Sequence, residues 1–249
     1  MSRNAFLMVL VQKMTLVVFL IGKVVRFGLF GMFIIFLLKG TNSLAGYSLN
    51  QTLFFFLTFT LVDTISQFLF REVYRFRPQI VSGSFDLVLA KPVNALFRSL
   101  MGGADVIDFI TIPPIIYAVI YIGGMLDPTF AEILIYLVLI INAVVISTAF
   151  HIAVLSLGIL TTEVDHTIMI FRDTFSMGRF PVDIYREPLK GILTYFIPVA
   201  VMITVPARAI MGLTSPVGIL SSLTIGAVAL FFATRFWNYA LRYYTSASS

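Results

Sequence analysis

The chain contains no cysteine. Disulfide frameworks, thiolate metal sites and cysteine nucleophiles are therefore excluded. Histidine is nearly absent, with only His151 and His166, which leaves no basis for a His-rich metal site. Charge is scarce: Asp, Glu, Lys and Arg make up 12% of the 249 residues, where soluble domains carry about a quarter. No GxxxxGK[ST] run occurs, so the chain is not expected to hydrolyse nucleotides itself. HExxH is missing and no Ser/His/Asp spacing stands out, which leaves a membrane-embedded enzyme without a catalytic constellation. No internal repeat is visible, which weighs against a secondary transporter or channel working without ATP. No small-residue cleavage site follows the first apolar run, so no signal peptide is expected.

Long apolar runs are what the sequence has in excess. It is 59% hydrophobic and holds 25 Phe. A span needs about 20 predominantly apolar residues, and too little polar sequence remains to form the shell of a soluble protein. The fold class expected is an all-α polytopic membrane protein, with residues 1–249 forming one membrane domain. Spans are expected near 17–38, 53–70, 106–122, 133–157 and 219–239, with Pro113-Pro114 kinking the third. Residues 4–14 read as an interfacial helix or an extension of the first span.

Lys and Arg in short loops set orientation. The N-terminal part has Arg3, Lys13, Lys23 and Arg26, and the loop after the second span has Arg71, Arg75, Arg77, Lys91 and Arg98. The loop after the first span has Lys39 alone, and the loop after the third has no basic residue. Both termini and residues 71–98 are therefore expected in the cytoplasm, which requires an even number of spans, and six fits. The net charge of +5 reports this loop bias and gives no reason to invoke nucleic acid. Residues 161–213 allow two arrangements. Either 190–212 is the fifth span, or 163–180 is, with 184–212 dipping into the outer leaflet and returning. Pro198 and Pro206 favour the second, because broken backbone at membrane depth must lie against protein or a cavity.

Few residues are candidates for chemistry. Asp63 lies well inside a span, and intramembrane carboxylates are costly and functional by default. It either pairs with Lys23 or Arg26 or faces a translocation path, where it would suit a cationic molecule. Asp105 and Asp108 read as a solvated helix start, where the dipole favours carboxylates. His151 reads as a neutral histidine bonded to a neighbouring helix. Trp237, Tyr239, Tyr243 and Tyr244 fit an aromatic belt. Residues 71–98 read as a break at Pro78, a short amphipathic helix carrying Ile80, Phe85, Leu87 and Leu89, and a stop at Pro92. Such an element docks on a soluble partner or lies on lipid.

Gly83-Ser84-Phe85-Asp86 with Leu89-Ala90-Lys91-Pro92 resembles the signature that follows the second helix in type-2 ABC exporter permeases. Gly178-Arg179-Phe180-Pro181-Val182-Asp183-Ile184-Tyr185, with Ile197-Pro198-Val199-Ala200 and Pro206-Ala207, is similar to the region after their fifth helix. Leu44 to Leu49 and Arg242 to Ala247 resemble the short six-span bacterial permeases that include viologen-exporter subunits. The resemblance implies a non-catalytic permease of the bacterial inner membrane that exports an amphipathic or cationic small molecule. It implies two separately encoded ATPases, which hold the ATP and Mg, and a second permease copy or paralogue. It further implies a cytoplasmic coupling helix, with Arg71, Arg75, Arg77, Gly83, Phe85, Asp86, Leu89, Lys91 and Pro92 in or around it. An extracellular re-entrant region over about 181–213 is implied too, with Pro181, Pro198 and Pro206 near a gate.

Overall fold

The computed structural model describes residues 13–245 except 42, 104 and 163. The expected interfacial helix over 4–14 lies almost wholly outside the described residues. Five helices are long and apolar enough to span: α1 (Lys13–Thr41), α2 (Leu49–Phe70), α6 (Val106–Gly124), α7 (Phe130–Thr161) and α11 (Pro216–Arg242). Between them lie shorter pieces: α3 (Phe76–Val81), α4 (Phe85–Leu89), α5 (Ala95–Met101) and α8 (Val164–Ser176), then a bent pair, α9 (Leu189–Phe196) and α10 (Ala200–Ile210). No β-sheet is present among the described residues; the expected all-α polytopic architecture is what forms.

Helix starts are written in polar caps. Ser48 and Gln51 form a capping box on α2: Gln51 N donates to Ser48 Oγ at 3.4 Å, and Ser48 N donates to Gln51 Oε1 at 2.9 Å. Thr129 and Glu132 repeat the device on α7, at 3.3 and 2.6 Å. Each box satisfies donors that the first helical turn leaves open, which matters more where lipid cannot supply an acceptor. Ser215 caps α11, with Pro216 in its first turn, where a missing N–H costs nothing. The assigned helix α6 continues through Pro113 and Pro114.

Residues 164–183 form a short and irregular segment. Asp165 at the start of α8 meets Arg77, just past the C-terminal end of α2. Phe175 packs against Phe59 in the middle of α2, and Asp183 accepts a hydrogen bond from Tyr47, just before α2 begins. Residues 164–183 thus run antiparallel to α2 over its full depth, as a 13-residue helix extended by 3₁₀ turns. The arms α9 and α10 are bent by 73° at a break that contains Pro198. Lys190 on the first arm and Arg208 on the second both reach Asp183, at 3.1 and 2.7 Å, so both outer ends return to one carboxylate. Between them, Val199 and Ile203 lie against Gly178, where an added Cβ would sit 2.7 Å from Val199.

The buried apolar residues form two clusters. One, around Phe54, Phe55, Phe59, Leu193, Met202 and Ile203, holds the half of the bundle near Tyr47. The other, around Phe70, Phe76, Phe85, Leu155 and Trp237, holds the half near residues 71–98. Trp237 is 3% exposed and belongs to this second core, not to an interfacial belt; Tyr239 and Tyr243 do remain exposed.

Candidate functional site

Residues 71–98 fold differently from the single helix expected over 80–92. Pro78 sits inside α3, near its start, where its missing N–H is tolerated, so it makes no break. The break falls at 82–84 instead. Gly83 has φ of +71°, a left-handed conformation that costs L-residues about 1–2 kcal/mol. α4 follows and ends at Leu89, ahead of the bend that contains Pro92.

The side of α4 that faces the bundle carries Phe85, with Val88 half-buried beside it. Phe85 is fully buried, its ring centre 5.1 Å from Phe76, 6.4 Å from Trp237 and 5.2 Å from Tyr244. Burying a Phe contributes about 1.5–3 kcal/mol, so Phe85 is the main anchor of α4 on α3 and the last span. Asp86 lies beside Tyr244. Burial first, and then that carboxylate, pushes the Tyr244 hydroxyl up to about 12, so it stays protonated at ordinary pH. The other side of the segment is open: Val81, Leu87, Leu89, Val93 and Phe97 are exposed, as are Lys91 and Pro92.

The arginines expected at the rim make pairs within the chain. Arg71 pairs with Asp105 at 3.3 Å and Arg77 with Asp165 at 3.1 Å. Arg75 and Arg98 flank Glu72 at 3.8 and 3.7 Å, and Gln79 donates to it at 3.0 Å. Glu72, 7% exposed, is thus the hub of this loop. It was not singled out in the sequence, where a lone Glu beside an Arg gives no signal. Gly103 explains part of its room: a Cβ there would lie 2.8 Å from the Glu72 carboxylate.

Asp63 pairs neither with Lys23 nor within salt-bridge range of Arg26. Lys23 is taken by Asp108, which is 2% exposed and not the solvated carboxylate expected. Only Asp105 serves the helix start, accepting from Ile107 N at 2.8 Å. Asp63 accepts from Gln67 Nε2 at 2.8 Å, one turn along its own helix. It opens on a chamber of about 320 Å³ lined by Arg26, Phe59, Met169, Arg172, Asp173, Ser176 and Arg179. His151 lies just beyond, buried, its Nδ1 2.7 Å from the Ser147 carbonyl of its own helix. A second cleft, about 520 Å³ and nearly all apolar, separates α1 from α2 and α6 beside Gly28, Gly31, Phe56, Pro114 and Tyr117.

At the far end, Tyr47, Asp183, Lys190 and Arg208 form a cluster not foreseen in the sequence. Arg208 Nε donates to Tyr47 Oη at 2.7 Å, and Tyr47 Oη donates to Asp183 Oδ2 at 2.9 Å. Burial, partly opposed by Arg208, pushes the Tyr47 hydroxyl pKa up, which keeps its proton in place for that donation. Pro181, Pro198 and Pro206 are all buried nearby. Pro181 precedes the 3₁₀ turn at 182–184, Pro198 sits in the bend, and Pro206 is near the start of the last helical stretch of α10. Thr204 Oγ1 accepts from Val182 N at 3.1 Å and ties the second arm to that turn.

No curated protein and no solved structure matches the chain significantly. A family model described as ABC-2 family transporter protein matches residues 24–248, which takes in α1 from Val24 onward, the other four long helices, the 71–98 segment and the bent pair. The chain therefore belongs to the ABC-2 transporter family and is the membrane permease component of an ABC transporter.

Proposed function

We propose that the chain is the permease subunit of an ATP-driven exporter in a bacterial cytoplasmic membrane, with both termini and residues 71–98 on the cytoplasmic side. It works with two ATPase subunits, which hold the ATP and Mg, and with a second permease copy or a paralogue. The chain itself is non-catalytic. The observation that carries this reading is the two-sided build of α4. One side is anchored through Phe85 to Phe76 and Trp237, and the other presents Leu87, Leu89 and Val93 to the outside. A partner seated on the open side moves α4, and Phe85 passes that movement to α11 and, through Phe76, to α7, where Phe76 lies against Gly158.

The charged residues have a separate role. Arg71, Arg75 and Arg77 hold the loop in shape through Asp105, Glu72 and Asp165, while exposed Lys91 remains for steering, where rim charge acts mainly on association rate. Gly83 provides the turn, Asp86 braces the loop against Tyr244, and Pro92 follows the end of the helix. At the opposite face, α9 and α10 form a re-entrant hairpin over about 181–213, with Pro181, Pro198 and Pro206 shaping an exit gate. The transported molecule is amphipathic, in keeping with the apolar cleft beside α1. A cation at Asp63 is not favoured, because three guanidinium groups line the same chamber.

The test is reconstitution with the ATPase. Replacing residues 83–92 by a Gly/Ser linker is expected to abolish co-purification and permease-stimulated ATP hydrolysis. Intact assembly and stimulation would remove the coupling assignment, and transport in vesicles without ATP would remove the ATP-driven reading.

A further inference from the structure

The chamber at Asp63 is built from the wrong charges for an internal ion-pair network. Three arginines from two segments, Arg26 on α1 and Arg172 and Arg179 within residues 164–183, line it together with two carboxylates, Asp63 and Asp173. The formal balance is one net positive charge. Among the described residues, no salt bridge within 4 Å joins any of these arginines to a carboxylate. Asp63 instead takes the Gln67 amide.

Two of the arginines lie over ring faces. The Arg179 guanidinium lies 5.5 Å from the Phe30 ring centre and 5.6 Å from Phe59, and Arg172 lies 5.9 Å from Tyr74. Stacking occupies the flat face of a guanidinium and leaves its N–H edge free, the edge that fits a carboxylate or phosphate bidentately. Depth makes this costly to leave unused. Asp63 lies about 21 Å along α2 from Leu49, at ~1.5 Å per residue, well within a hydrocarbon layer of about 30 Å. Charged groups at that depth face an interior or a water-filled cavity and mark a pathway.

We propose that this chamber receives the anionic head of an amphipathic molecule, a carboxylate or phosphate on an apolar body. Arg172 and Arg179 grip the head, Arg26 closes the α1 side, and Phe59 with the neighbouring apolar wall takes the start of the body. Asp63 limits affinity, so that the head is held and released. Calling the bound molecule cargo rests on the transport reading; the binding does not, and its test needs no ATPase. Failure here therefore leaves the permease assignment standing, and failure of ATPase coupling leaves this site standing.

The test uses the full chain in nanodiscs of zwitterionic lipid and two probes with the same tail, decyl phosphate and decyltrimethylammonium, measured by equilibrium dialysis. Decyl phosphate is expected to bind saturably, and Arg172→Gln and Arg179→Gln each to weaken it about tenfold or more, the loss of a hydrogen-bonded charge contact. Asp63→Asn, which is nearly isosteric, is expected to tighten it. Repeating the titration in nanodiscs rich in phosphatidylglycerol separates the sources. Competition identifies a lipid headgroup as the natural occupant, and undiminished binding identifies a solute. Equal or tighter binding of decyltrimethylammonium, arginine variants with unchanged affinity, or weaker binding in Asp63→Asn would each overturn the proposal.

Discussion

The two ends of the molecule each close with short helices and a sharp turn, yet they are finished in opposite ways. At the basic end, α3 and α4 turn about Gly83, anchor through Phe85 and leave Leu87, Leu89, Val93 and Phe97 exposed. At the far end, α9 and α10 turn about Pro198, and the residues from Val199 to Thr204 are all buried against α2, α7 and the turn at 177–179. One segment keeps an apolar face outward, while the other drives its arm into the core. On the proposed function, the first is a surface to be gripped and the second a plug to be held. The clamps differ in the same sense. Glu72 gathers Arg75, Arg98 and Gln79 within one loop, whereas Asp183 joins Tyr47, Lys190 and Arg208 from three separate parts of the chain.

The comparison is most exposed to breakage at its anchors. Phe85→Ala empties a fully buried site and is expected to cost about 3–5 kcal/mol locally. Because the loss falls on α4, it should appear as loss of ATPase stimulation with the membrane helices still folded, read by hydrolysis alongside thermal unfolding in nanodiscs. Asp183→Asn releases both arms of the hairpin. One charged acceptor serving three donors suggests about 1–3 kcal/mol, since Lys190 and Arg208 are partly exposed. It should appear as a lower unfolding midpoint and faster proteolysis near Arg186, with ATPase assembly unchanged. Gly83→Ala forces a Cβ into a left-handed turn at about 1–2 kcal/mol and should weaken coupling in proportion while leaving the hairpin untouched. The smallest effect is expected from Arg77→Ala. Its pair with Asp165 is half exposed on both sides, and such pairs contribute about 0–1 kcal/mol, so thermal unfolding should barely move. A large shift there would mean that the ion pairs, and not Phe85, hold the docking loop.

Much of this plan was legible before any coordinates. Apolar runs announced five spans because lipid demands length and hydropathy together, and both are properties of a single segment. Residues 164–183 are only half legible. Their helix is 13 residues long and carries Asp165, Arg172 and Asp173, so hydropathy gives no clear signal there, and their run alongside α2 depends on contacts far apart in sequence. The Lys and Arg count picked out residues 71–98, but not that Arg71, Arg75 and Arg77 would turn inward to Asp105, Glu72 and Asp165. Pairing partners far apart in sequence leave no trace in a single chain. Asp63 was noticed for the right physical reason, the cost of a buried carboxylate. Its neighbours were misjudged because Lys23 found Asp108 on α6, and because Arg172 and Arg179 lie more than a hundred residues away.

The absence of cysteine allows the central claim to be tested directly. A single cysteine at Leu87→Cys, carrying a photoreactive label, sits on the open side of α4; a second, at Phe196→Cys, sits on the exposed tip of the first hairpin arm. With the ATPase present in nanodiscs, the label at position 87 should crosslink to the ATPase, and the label at position 196 should not. If position 87 crosslinks only to lipid, or if both positions label the ATPase alike, residues 83–92 are not the docking surface described here.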